Sequence, residues 1–285
     1  MRLPLCFPAL LLPSAIQAQS LSIPTAALAD STTRPAAVAR LAIEAAAAYR
    51  DTSQLTQFDN QFRLQLLAGR PAGARASLAQ LRATQVVRGD TAPADRALDA
   101  QYEIYLRAKQ LESDSGIGFP EAFGRAFRER FARLDDRTAA LVARTLSIPA
   151  PRAPESPQDT TVALADAVAW LRAVQIANTY GEIGNLAAPL LREEDSRRYI
   201  LSGLVPLKTS DGATVCVTVW RPRKGPARVP ALFQFTIYAD TTTLLNDLRR
   251  NASNGYAAVL GFTRGKACSP DQPVPSSGRT TTAAT

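Results

Sequence analysis

The 285-residue chain contains no histidine, only four lysines (Lys109, Lys208, Lys224 and Lys266), three cysteines and one methionine. Without histidine, neither a Ser-His-Asp nor a Cys-His arrangement can be assembled from this sequence. A G-x-S-x-G elbow is absent as well: Ser253 lies in "NASNG" and Ser277 in "PSSGR". No Ser-x-x-Lys dyad precedes a lysine, Gly265-Lys266 lacks the flanks of a phosphate-binding loop, and no cysteines have zinc spacing. Past the N-terminal leader described below, no apolar run approaches the ~18 residues of a membrane helix. Neither a cofactor nor a metal is expected.

The composition permits a sizeable core, with 46% hydrophobic and 20% charged residues. A formal charge of +8 would allow binding to nucleic acid, but arginine supplies 29 of the 33 basic residues. These arginines are spread beside Asp and Glu and form no basic stripe interleaved with aromatics, so a nucleic-acid partner is not expected.

The first 19 residues join basic Arg2, an apolar stretch and small residues near Ala18, the layout of a secretory signal peptide. The expected location is therefore exported, periplasmic or extracellular. Two cysteines follow the leader, Cys216 and Cys268. Such a compartment would let them pair, although Cys216 equally fits a small apolar residue buried in a strand.

Residues 20–148 carry helical spacing. Thr33, Arg34 and Pro35 resemble a helix start, followed by Val38, Leu41, Ala45 and Tyr49. Leu55, Phe58, Phe62 and Leu66 precede Gly69, a stop signal. Leu98, Tyr102, Tyr105 and Lys109 continue the pattern, with Lys109 marking an exposed end. Phe119, Phe123, Phe127 and Phe131 form an i, i+4 stripe read as core. "PAPRAPESP" places a linker or long loop at 149–158, and a further helical segment is expected over 159–197, starting near Thr160. Glu193, Glu194 and Asp195 read as its solvated end.

After Arg197 the period becomes two. "YILSGLVPLK" and "ATVCVTVW" flank Asp211-Gly212, a hairpin signal. Val215, Val217 and Val219 are expected on one face, with Thr214, Cys216, Thr218 and Trp220 on the other. "ALFQFTIY" reads as a strand buried on both faces. A helix is expected from Thr242 to Arg250, then a buried strand in "YAAVLGF". The predicted class is α/β: a helical N-terminal region, then an antiparallel hairpin entering one parallel βαβ unit.

Residues 198–275 also resemble the start of the catalytic domain of X-prolyl dipeptidyl peptidase and cocaine-esterase-like serine hydrolases. "VPLKTSDGATVCVTVWRP", "FQFTIYAD" and "GYAAVLGFTRGKACSPD" carry the resemblance. It covers under a third of the chain, and the helical region before it carries no known motif. The resemblance implies an incomplete α/β-hydrolase sheet, with Tyr238 at the tyrosine whose hydroxyl helps form the oxyanion hole. The family's Pro before that tyrosine is Ile237 here, its loop Asp is Phe262 or Thr263, and one of its glycines is Ala267. Arg264 is expected to brace the loop.

The nucleophile, acid and histidine of that family lie downstream of the matched segments, and 276–285 reads as a coil tail. The expectation is an N-terminal piece of an exported hydrolase acting on small ester or peptide substrates, inactive alone. A separately encoded C-terminal part is one partner it would take. The alternative is a non-enzymatic exported protein whose helical half binds a partner.

Overall fold

The computed structural model describes residues 19–89, 93–237 and 241–272. All but the last residue of the proposed leader (1–19), together with Tyr238 and the tail, lie outside them. Short strand β1 (Ser20–Ser22) pairs antiparallel with β2 (Thr161–Ala163), tying the start of the described chain to the start of the longest helix. Between them run α1 (Thr25–Ala29), α2 (Arg34–Ala48), α3 (Gln54–Leu67), α4 (Pro71–Arg88), α5 (Pro93–Ser115), α6 (Phe119–Phe131) and α7 (Asp136–Leu146).

Local chemistry sets several boundaries. Pro35 occupies the first turn of α2, where its missing N–H costs nothing. The Ser53 and Asp135 side chains accept from the third-position amides of α3 and α7. Gly69 takes φ +67° after α3, a conformation in which a Cβ would be strained.

The aromatic stripe of α6 is core, as its spacing predicted. Phe123, Phe127 and Phe131 are buried, and the rings of Phe127 and Phe131 stack 4.1 Å apart. They pack with Ile104 of α5, Val142 of α7 and Ile183 of α8 (Leu164–Arg198). Toward its N-terminus, α8 also seals a second cluster, in which Leu171 and Val174 meet Val38 and Leu41 of α2. The helical pattern did not extend back to Thr160, because 161–163 form β2 instead. Lys109 does not mark a helix end either: α5 continues to Ser115, and the Lys109 ammonium sits 4.2 Å over the Phe119 ring. Residues 149–160 have no regular structure, yet they are strapped down. Arg34 donates to the Pro154 carbonyl, Trp170 Nε1 to that of Glu155, and Ser156 to that of Leu28.

The second half is mixed α/β, in the predicted order. "YILSGLVPLK" is split by Gly203, at φ +59°, into β3 (Tyr199–Leu201) and β4 (Val205–Lys208), and both pair antiparallel with β5 (Thr214–Pro222). Gly212 turns the β4–β5 hairpin at φ +81°. β6 (Ala231–Thr236), α9 (Thr241–Ser253) and β7 (Ala257–Phe262) then form a parallel βαβ unit. The sheet order is β3-β5-β7-β6, with β4 beside β5.

The alternation predicted for β5 holds. Cys216 and Trp220 join Ala258 and Leu260 of β7 beneath Leu244 and Leu248 of α9. The expectation for "ALFQFTIY" is overturned. Among the described residues β6 is an edge strand, and Phe233, Phe235 and Ile237 are 60%, 54% and 60% exposed. Register places Phe233 beside Val259 and Phe235 beside Gly261, on the face away from α9. Both phenylalanine rings lie across Gly261, where a Cβ would fall 2.9 Å from Phe235 and 3.0 Å from Phe233. Val205 and Leu207 of β4 are exposed on the same face. Parallel sheets are ordinarily covered on both sides; among the described residues α9 covers one.

Candidate functional site

In α/β sheets, ligands gather at the carboxyl ends of the parallel strands. The two connections at that end here are 237–240, after β6, and 263–272, after β7. The Thr263 amide donates to the Thr236 carbonyl at 3.1 Å, so the two connections leave the sheet side by side. Tyr238 falls in the first connection and lies outside the described residues, so its hydroxyl has no described position.

The second connection is tightly folded. Gly265 donates to the Ser269 carbonyl, Lys266 to that of Thr263, and Ser269 to that of Lys266. Ser269 is buried. Its hydroxyl accepts from the Cys216 amide at 2.9 Å and donates to the Phe262 carbonyl. The Asp271 carboxylate accepts from the Thr214 amide, which closes the loop onto the first residue of β5. Ser269 is thus a brace between β5 and β7 and not an exposed nucleophile.

Ala267 takes φ +51°, the only non-glycine residue with positive φ among those described. The left-handed region costs an L-residue about 1–2 kcal/mol per position, so a glycine would sit there more easily. Next to it, Cys268 is bonded to Cys216, with Cα atoms 5.6 Å apart. The pairing left open by the sequence is therefore present.

Arg264 braces the loop, as expected, and its partner is Asp211 in the β4–β5 turn. A hydrogen bond from Thr209, followed by the Arg264 guanidinium, holds the Asp211 carboxyl down at about 2. The loop after β7 is therefore fixed at three points: an ion pair to the hairpin, a disulfide to β5 and hydrogen bonds to β5 amides. What this arrangement can do is present a rigid rim beside the end of β6.

The acidic run at the end of α8 departs from its solvated reading. Glu193 is the solvated member, held by Arg128 and Arg197, which lower its carboxyl. Glu194 and Asp195 are 5% and 6% exposed. Glu194 meets Arg197 and Arg198, while Asp195 accepts two 2.8 Å bonds from Arg249 of α9. Burial raises the Asp195 carboxyl, and Arg249 pulls it back. All three acids are engaged in structure.

No group of three or more potential metal ligands occurs among the described residues, and no described helix is long and apolar enough to cross a membrane. Comparison of the chain with protein-family models, with curated proteins and with solved structures finds no match.

Proposed function

We propose that the chain is the N-terminal part of an exported serine hydrolase that cleaves small ester or amide substrates by acyl transfer, and that it is inactive by this route on its own. The observation that carries the reading is the order of the sheet. An antiparallel hairpin enters a parallel βαβ unit, and the Tyr238 connection falls between β6, the first strand of that unit, and its crossover helix α9. In α/β-hydrolases that connection supplies an oxyanion-hole donor beside the nucleophile.

In this reading the Tyr238 phenol donates to the oxygen that gains charge in the tetrahedral intermediate. Arg264, Asp211 and the Cys216–Cys268 bond hold the neighbouring loop. The positive φ of Ala267, at a position where the resembled family has glycine, supports the alignment of that loop. The disulfide supports an oxidising, exported location. The nucleophile elbow, acid and histidine come from polypeptide beyond these 285 residues, since no histidine occurs within them. That polypeptide would also lie against β6 and the bare apolar face.

The test combines sequencing with active-site labelling. The coding sequence is read past the Thr285 codon in all three frames. A G-x-S-x-G elbow with later Asp and His is the expected result; no such set in any frame overturns the hydrolase reading. The 285-residue chain alone should not be labelled at serine by a fluorophosphonate, and labelling would overturn its predicted inactivity. In the restored protein, Tyr238→Phe should slow acylation by about 10²–10³-fold. An unchanged rate removes the oxyanion role.

A further inference from the structure

A separate cleft lies in the helical half, away from the sheet. It has a volume of about 690 Å³ and opens between the start of α2, the end of α3, α5 and α8, under the 149–160 strap at Ala153. This size is within the range of small-molecule sites, roughly 300–1,000 Å³. Val38, Leu66, Leu67 and Val174 give it an apolar wall, and Arg34, Lys109 and Glu182 give it a charged one.

The hydrogen-bonding balance of the charged wall is one-sided. Glu182 already accepts from the Tyr105 hydroxyl at 2.8 Å and faces the Lys109 ammonium at 3.0 Å. Burial, then the adjacent Glu182, push the Tyr105 phenol up, so it remains a donor across the working pH range. Gln175 is also spent. Its oxygen accepts from Arg63 and Tyr102, and its nitrogen donates to Thr179. Arg34 differs: its guanidinium donates to one backbone carbonyl, that of Pro154 at 3.2 Å, and meets no carboxylate among the described residues. The charged and amide acceptors at the base of the cleft, Glu182 and Gln175, are therefore engaged, while the Arg34 guanidinium retains most of its five donors.

We propose that this cleft binds an amphipathic carboxylate, with the carboxylate on Arg34 and the hydrocarbon along Val38, Leu66, Leu67 and Val174. An anion supplies the carboxylate that Arg34 lacks, and a guanidinium pairs with a carboxylate in a planar, two-bond geometry. The alkyl portion covers the apolar wall. This site is independent of the acyl-transfer reading and would persist if that reading failed.

The test is isothermal titration of the full chain with octanoate and with octan-1-ol, its uncharged counterpart. Octanoate is expected to bind one to one and about tenfold more tightly than octanol. Arg34→Gln should bring octanoate to the octanol level while the chain still melts in one cooperative transition, since Trp170 and Ser156 continue to hold the strap. Asn178→Trp, at an exposed rim position, should weaken both ligands by narrowing the mouth. Three results would overturn the proposal: equal affinity for the two ligands, no saturable binding, or octanoate affinity insensitive to Arg34→Gln. The last would place the carboxylate away from Arg34.

Discussion

Replacing Arg249 by methionine tests what joins the helical half to the sheet. Arg249 Nε and Nη2 each donate to Asp195 at 2.8 Å, Nη1 donates to Asn246, and the guanidinium lies 5.8 Å from the Trp220 ring. The two charged side chains are 6% and 8% exposed. Arg249→Met therefore leaves a buried carboxylate without its cation where α8 meets α9. Breaking a buried pair from one side costs about 3–5 kcal/mol, whereas replacing both members with apolar groups is often nearly neutral. Arg249→Met is expected to lose stability in that range, and adding Asp195→Leu should recover all but about 1–2 kcal/mol of it. Urea unfolding followed by tryptophan fluorescence reads both variants, since Trp220 lies at the pair. The pH dependence has a definite sign. Without Arg249, burial is the dominant influence left on Asp195, with the Glu194 charge acting the same way and Arg198 opposing, and it raises the folded-state pKa above the unfolded value. The deficit is then largest at neutral pH and shrinks as pH falls and the carboxyl takes up a proton. A single variant losing less than about 1 kcal/mol, or a double variant no better than the single, would refute the burial argument.

Ala267→Gly should stabilise the protein by about 0.5–1 kcal/mol, because relief of the left-handed strain exceeds the added chain entropy of glycine; thermal melting decides the sign. The Cys216–Cys268 bond closes a loop with a sequence separation of 52. Loop-closure entropy puts its removal at about 4 kcal/mol, read as the shift between urea curves with and without reductant. A shift near zero would mean that the remaining contacts already confine this segment in the unfolded chain. Asp211 titrates at about 2 when folded, below the ordinary aspartate value of about 3.9. Its contribution is thus complete above about pH 4 and disappears as pH falls toward 2. Asp211→Asn should flatten that part of the acid limb relative to wild type, and parallel acid limbs would contradict the assignment.

Features carried by neighbours in sequence were legible. The Thr33-Arg34-Pro35 helix start, the α6 aromatic stripe, the Asp211-Gly212 turn and the strand–helix–strand order of 231–262 all depend on residues within a few positions of one another. What failed to show depends on register or on distant partners. "ALFQFTIY" is apolar enough for a central strand, and nothing local says that β7 takes one side while the other stays open. The burial of Glu194 and Asp195 depends on arginines, one of them 54 positions away. The disulfide required knowing that the loop after β7 folds back onto β5. Arg34 read only as a helix start; its place in a cleft follows from α5, α8 and the strap meeting above it. For the sheet site, the family resemblance singled out Tyr238, and the described residues fix the frame around it rather than its hydroxyl.

The open edge of β6 has a kinetic consequence. Folding is first order in chain, but edge-to-edge association is second order, so doubling the concentration doubles the flux into the folded state and quadruples the rate of encounter. The lifetime of the free species is then set by how crowded its compartment is, even at fixed conformational stability. Charges introduced at Phe233 or Ile237 would slow the encounter without touching the α9-covered core. The same exposed row thus acts as a clock on how long the chain stays dispersed.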